Sequence, residues 1–428
     1  MDTSKGLFFD QELIQEIKDK FCLVDEDPEY GKRLFFENSG GSLRLKKAVE
    51  AKANAEAFPD CPERTYNRSL TLKGYVNDAT GEMLEVMFGA KKGEGALVTE
   101  LTASQAMFKI VGMIMENCEG TNAVVSVLEH PSAFDAVDCY CRKTGREMRV
   151  APVNPATGRI ETEDVIKLVD DNTCLISVMS ASNVTGAVMD IEDIVRQARA
   201  INPDVYVVSD AVQHAPHMKM DVQTTGVDAM NFAPYKFFGV RGCGYAYVSE
   251  RVARLPHDKL LAKDEKVFEL GTPAPGNFAA MLEVMDYVCW LGSRFTESTD
   301  RQNLFTEGMR RIHLQERALL YRMLEGTTDV PGLRHIPGVR IAADPESVEG
   351  RDLIVGIMMD AMTSTELANA YGEKGVVVAD RAADSLYSHR IVMALGAKDG
   401  LVRVSPLHCH SQDDVDYFLK VTAEIAGM

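Results

Sequence analysis

Two residues near the middle of the chain have types and surroundings that suit one kind of chemistry. Asp210 closes the apolar run VYVVSD, and Lys236 lies in NFAPYKFFG, among aromatic and apolar neighbours. A short run rich in β-branched and aromatic residues reads as a buried strand. In a parallel sheet, ligands bind beyond the carboxyl ends of the strands, which is where Asp210 would stand. A lysine in an apolar pocket loses hydration of its ammonium, so its pKa falls and the neutral amine becomes a nucleophile able to form a Schiff base. A carboxylate against a pyridine nitrogen keeps that ring protonated and electron-withdrawing, the pairing that pyridoxal 5'-phosphate (PLP) needs. Gln213 follows Asp210 by three residues, and Gly239, Gly242 and Gly244 follow Lys236. Taken singly, an Asp after a strand is an ordinary cap or turn residue, and most lysines are solvated.

Taken together, Val205 to Val248 resembles the signature of the class V aminotransferase family, the fold-type I PLP enzymes that include cysteine desulfurases. The resemblance implies Asp210 at the pyridine nitrogen, Gln213 at the ring oxygen and a Schiff base on Lys236. It runs over roughly residues 35–425 and carries further expectations. His130, in Glu129-His130, would stack on the ring and move protons, since an imidazole is planar and titrates near neutrality. Asn183, in SASNVTG, would lie near the ring oxygen. Asn38 and Gly40, in ENSGGS, would touch substrate. Arg403, in LVRVS, would bind the substrate α-carboxylate, which a planar guanidinium does bidentately. Thr272, in ELGTP, would reach the cofactor phosphate of a neighbouring subunit, which implies a homodimer with shared sites.

The phosphate cup departs from the family's pattern. Thr99, Thr102 and Ser104 cluster where a helix begins in ALVTELTASQAMF. A helix N-terminus is a natural phosphate seat, and hydroxyls there also serve as plain N-caps. The resemblance assigns Thr102, Ala103 and Ser104 to the phosphate, yet this turn lacks the family's glycine. Where the family has Ser-x-His-Lys, this chain has Ala233-Pro234-Tyr235-Lys236. Tyr235 can still donate a hydrogen bond, and Gln105, Gln213 or His214 could compensate.

A third departure bears on the reaction. A cysteine desulfurase needs a thiolate on the loop after a small-domain strand. The corresponding stretch, VVVADRAADSLYSHRIVMALG, has no Cys; Tyr387 and His389 stand there, and Cys409 lies beyond Arg403. The expected activity is therefore a desulfurase-like C–S or β-elimination lyase acting on a small amino acid. A class V aminotransferase and an amino-acid epimerase are the alternatives. The acid at the leaving group would come from His130, Tyr235, His389 or His408.

These residues need a scaffold of alternating strands and helices, and such alternation implies right-handed crossovers and a mostly parallel sheet. The expected fold is α/β, fold type I: a large domain with a mostly parallel sheet of the seven-stranded type and a smaller α+β C-terminal domain. Residues 1–45 would form an N-terminal segment packing with the small domain, 46–295 the PLP-binding domain and 296–428 the small domain. Helical spacing marks residues 10–22 and 78–92; RLFFEN reads as a short strand and SGGS as a turn.

The bulk numbers agree. A net charge of −18 argues against nucleic acid and anionic membranes as partners. No apolar run is long enough to cross a membrane, and the N-terminus lacks the apolar core of a signal peptide. Nine scattered cysteines without a CxxC pair read as free thiols in the cytoplasm, and no metal-ligand spacing stands out. A dinucleotide-binding reading fails because G-V-R-G-C-G leads to a strand rather than a helix.

Overall fold

Seven strands form the central sheet: β1 Ala96–Glu100, β2 Asn122–Ser126, β3 Glu147–Ala151, β4 Thr173–Ser177, β5 Tyr206–Asp210, β6 Ala229–Phe232 and β7 Gly244–Val248. The structure is a computed structural model that describes residues 3–360 and 362–428. The strand order is β1-β7-β6-β5-β4-β2-β3, and only β7 runs antiparallel to its neighbours. Strands β2, β4 and β7 are buried at every position, as strands covered on both faces must be.

The principal helices are α1 Gln11–Lys20, α2 Lys46–Glu56, α3 Arg68–Glu82, α4 Ala103–Asn117, α5 Pro131–Thr144, α6 Ile191–Ile201, α7 Pro275–Ser293, α8 Arg301–Glu325, α9 Ser364–Glu373 and α10 Gln412–Ile425. Helices α4 and α5 cover one face, where Met107, Ile110, Val111 and Val137 pack on Val125, Val208 and Ala246. Helices α6 and α7 cover the other, with Ile194, Val195, Met281 and Val284 against Ile176 and Val207. Local chemistry sets the helix starts. Thr102 caps α4 by accepting from the Gln105 N–H, and α5 begins with Pro131 in its first turn and ends at Gly145 in the left-handed region.

The C-terminal part has a sheet of β8 Val339–Ile341, β9 Val355–Met359, β10 Ala379–Arg381 and β11 Leu401–Val404, ordered β8-β9-β11-β10 and antiparallel throughout. Leu319, Leu320, Leu367 and Phe418 from α8, α9 and α10 pack with Val355, Val402 and Val404. The N-terminal segment divides between the two parts. Leu34–Phe35 pairs with Val376–Val377, and Phe36 joins the C-terminal core. Phe9, Leu13, Ile17 and Phe21 instead join the large core, where Phe21 meets Phe238 and Tyr287 edge-on.

Two local readings need correction. The helix expected over 78–92 is α3, which starts at Arg68, runs into a π-helical turn at Met83–Met87, and stops at Gly89 with φ +70°. Its first half, RSLTLKGYVN, carries too mixed a pattern to show a helical stripe. The strand in RLFFEN is only Leu34–Phe35, because its sole strand partner among the described residues is the two-residue Val376–Val377.

Buried hydrogen bonds tie the loop after β5 to the C-terminal part. His214 Nδ1 donates to Asp352 at 2.9 Å and His217 Nδ1 to Glu316 at 2.7 Å. Glu316 also accepts from the His408 backbone N–H at 3.1 Å, and His408 Nε2 bonds the Tyr287 hydroxyl at 2.7 Å. The partner of each buried charge is itself buried, so the loop that carries Gln213 is held firmly.

Candidate active site

The carboxyl ends of β2, β4, β5 and β6 open onto one cavity of about 220 Å³. It is lined by Thr102, Ala103 and Ser104 at the start of α4, by His130 and Ser132 at the start of α5, and by Met179, Ala181 and Asn183 after β4. Asp210 lines it at the last position of β5, Val212 and Gln213 just beyond that strand, and Ala233, Tyr235, Lys236 and Arg241 after β6. Strand register thus gathers residues from across the sequence at one edge of the sheet.

Lys236 ends a 3-10 turn, Pro234–Lys236, and is 9% exposed. Burial pulls its amine down to about 7, and Arg403 adds to that while Asp210 opposes it. The turn is clamped from behind. The Tyr235 carbonyl accepts from the Ser42 N–H at 3.0 Å and from Arg44 Nη1 at 2.6 Å. Phe238, two residues on, has φ +60°, a conformation a bulky residue adopts only under constraint; the Ser42 hydroxyl accepts its N–H at 3.0 Å.

Asp210 is buried and makes no ion pair within 4 Å among the described residues. Its Oδ1 accepts from the Val212 N–H at 3.0 Å. Burial pushes its carboxyl up against the pull of that bond and of Lys236. Gln213 Nε2 donates to Ser39 Oγ at 3.2 Å, while Gln213 Oε1 and Asn183 Oδ1 are buried without a partner.

His130 caps α5: its Nδ1 accepts from the Ser132 N–H at 3.2 Å. That bond requires Nδ1 to be unprotonated, so the neutral ring carries its hydrogen on Nε2. Burial, then Lys236, lower the ring's pKa to about 3, so it is neutral across the physiological range. Behind it, Glu129 Oε1 accepts from Ser126 Oγ at 2.5 Å and from the Met179 N–H at 2.7 Å; Oε2 has no hydrogen-bond partner among the described residues. Burial pushes this carboxyl up to about 8.

The Tyr235 ring lies under two guanidinium groups, with the Arg241 Cζ at 4.2 Å and the Arg44 Cζ at 6.0 Å from its centroid. Sequence reasoning passed over Arg241, although it stands in the quoted glycine turn; Ser132 and Arg44 were missed as well. Gly244 carries a constraint of its own. A Cβ there would sit 2.1 Å from the Ala103 N, so only glycine lets the start of α4 pack against β7.

Other expected residues lie outside the cavity lining. Arg403 is 2% exposed on β11, and its Nη1 donates to the Asn183 carbonyl at 3.0 Å. Asn38 Nδ2 donates to the Ser405 carbonyl at 2.9 Å and its Oδ1 accepts from the Leu43 N–H at 3.0 Å, so its amide is engaged by the backbone. Gly40 sits above Glu37, whose carboxylate a Cβ would meet at 2.8 Å. Thr272 is exposed and is not part of the lining. Of the four acid candidates, only His130 and Tyr235 line the cavity. His389 is exposed and bonds the Ala383 carbonyl, and His408 is buried against Tyr287. His214 is engaged by Asp352 and Gln105 lies outside the lining, which leaves Gln213 of the three compensating residues.

The family model for "Aminotransferase class-V" matches residues 76–418. The chain belongs to this family. Members use PLP, and this chain is a PLP-dependent enzyme of fold type I. A cysteine desulfurase from Cronobacter sakazakii is 29% identical over 344 residues, covering 75% of this chain and 79% of that protein. One from Salmonella newport is 30% identical over 189 residues, 40% of this chain and 46% of that protein. The solved apo cysteine desulfurase from Thermococcus onnurineus NA1 matches the fold with a TM-score of 0.78 at 20% identity, over 96% of this chain and 98% of that one. A cysteine desulfurase from Escherichia coli matches with a TM-score of 0.78 at 15% identity, over 98% and 99%.

The residues present fit the cofactor. A buried carboxylate without a cation partner suits a protonated ring nitrogen. The amides of Asn183 and Gln213 line the same cavity as the lysine, each with its oxygen unpaired among the described residues, and turning either amide about its last bond presents an N–H donor to a ring oxygen. The amino end of α4 supplies free N–H groups and a favourable dipole for a phosphate.

Proposed function

We propose that the chain is a desulfurase-like C–S or β-elimination lyase that acts on a small amino acid without a thiol nucleophile of its own. In this reading Lys236 holds the cofactor, Asp210 faces its ring nitrogen, and Asn183 and Gln213 face its ring oxygen. Thr102, Ala103, Ser104 and Tyr235 surround its phosphate, and Thr272 reaches that of a partner subunit in a homodimer. The bound cofactor supplies the electron sink that stabilises a carbanion at the substrate's Cα.

The remaining work falls to the chain itself. Arg403 holds the α-carboxylate. The amine of Lys236, neutral near pH 7, takes the Cα proton. The ammonium so formed on Lys236 carries the proton that the departing sulfur takes, and the neutral His130 offers its Nε2–H as a hydrogen bond.

The observation that carries the reading is the absence of sulfur nucleophiles: no cysteine lines the cavity among the described residues. Cys409 is fully buried in the large core, where burial raises its thiol pKa. The loop 382–388 has no cysteine.

The test is a product assay of PLP-loaded protein against L- and D-cysteine, cystine, cysteine sulfinate, serine and alanine, with and without keto acids. Pyruvate, ammonia and sulfide formed without a keto acid support β-elimination. Product formed only with a keto acid makes the chain an aminotransferase and refutes the reading.

A further inference from the structure

Arg403 is accompanied by a second guanidinium. In the antiparallel pairing of β10 with β11, Ala379 faces Arg403 and Arg381 faces Leu401. Because side chains alternate, Arg381 and Arg403 project from the same face as diagonal neighbours, about 7–8 Å apart at Cα and within reach of each other's ends. That face is turned toward the large domain, since Arg403 Nη1 bonds the Asn183 carbonyl. Neither arginine makes an ion pair within 4 Å among the described residues, and the Nε of each is buried without a partner. Arg381 has one bond at the limit of length, from Nη2 to the Tyr387 carbonyl at 3.4 Å.

Glu37 shares this face, in register with Ser405, yet forms no ion pair with either arginine. Burial pushes its carboxyl up against the pull of both guanidinium groups, so one carboxylate serves as the shared, longer-range counter-ion of two buried cations. Arg403 meets the cavity wall through the carbonyl of Asn183, a lining residue, and Arg381 shares its face. Two like charges side by side repel unless an anion lies between or beside them. One substrate α-carboxylate occupies one of them.

We infer that Arg381 binds a second anionic group, a carboxylate or sulfinate on the substrate's side chain, and that the enzyme selects amino acids with acidic side chains. This rests on the proposed reading of the site as an amino-acid site with Arg403 at the α-carboxylate. A guanidinium fork suits either anion, and an uncharged side chain would leave Arg381 with only the long bond to Tyr387 and a carboxylate it shares with Arg403.

The test is equilibrium binding of L-aspartate and L-asparagine to the PLP-loaded protein, followed by cofactor absorbance. These probes have nearly the same shape and differ in the charge at the second group. Aspartate is expected to bind at least about tenfold tighter. Arg381→Gln should bring the two within about twofold while leaving asparagine unchanged, and Arg403→Gln should weaken both. A loaded protein that treats both probes alike, or an aspartate preference that survives in Arg381→Gln, overturns this inference alone. No absorbance response to any amino acid overturns the cofactor-site reading along with it.

Discussion

Replacing Lys236 with methionine should stabilise the cofactor-free protein, and by an amount that depends on pH. The amine falls from the ordinary 10.5 to about 7, chiefly through burial. At 1.36 kcal/mol per pH unit this corresponds to about 5 kcal/mol of cost when the buried amine is charged. The sign follows from proton counting. Between pH 7 and 10.5 the unfolded chain holds a proton on Lys236 that the folded chain lacks, so stability rises with pH there. The full cost is present at and below pH 7 and vanishes above 10.5. Methionine keeps most of the volume and removes the charge. With an unfolding entropy of about 2 cal/mol/K per residue, the largest gain is about 5 °C in Tm. Asp210 loses the favourable charge of Lys236 in the variant, so the observed gain falls below that ceiling. Calorimetry of cofactor-free wild type and Lys236→Met at pH 6, 8 and 10 reads the effect. A difference that does not shrink as pH rises, or a variant less stable at pH 6, refutes the argument that the site holds a desolvated amine.

Gly244→Ala should lower PLP affinity by about tenfold or more, read by equilibrium dialysis, and cost about 1–3 kcal/mol of stability. The new Cβ meets the backbone of Ala103 and Thr102, which cannot yield without moving the start of α4. Glu316→Gln should cost about 3–5 kcal/mol in urea unfolding, because it strips the buried partner from His217. Burial raises the Glu316 carboxyl, but His217 outweighs it and holds the group at about 2. Its contribution is therefore present above about pH 4.5 and lost as pH falls toward 2, and the variant should unfold with a shallower acid profile. Serine at Cys61 and Cys139, the exposed cysteines, should leave turnover unchanged; a large loss would point to a thiol in the reaction.

The site was legible where its residues sit at the ends of strands whose apolar runs announce themselves. Asp210 ends β5, Lys236 follows β6, and His130 and Asn183 follow β2 and β4, so local pattern and resemblance placed them on the same sheet edge. Arg381 was not legible. Its meaning comes from the diagonal register of β10 with β11, and no spacing along the chain encodes that. The turn at Asn38 was readable, but not that its amide reaches the Ser405 carbonyl 367 residues away. His389 and His408 had the right chemistry for an acid and the wrong tertiary partners. The start of α3 was hidden because its buried positions, Ser69, Leu72 and Ala79, give too weak a stripe.

The proposed bond between the cofactor and the amine of Lys236 has a direct test. Reduction of the PLP-loaded protein with borohydride, followed by peptide mass spectrometry, fixes any lysine-bound pyridoxyl group where it stands. The expected result is one modified residue, Lys236, and no lysine-bound absorbance in Lys236→Ala. A pyridoxyl group on another lysine, or an unchanged absorbance band in Lys236→Ala, would contradict the account.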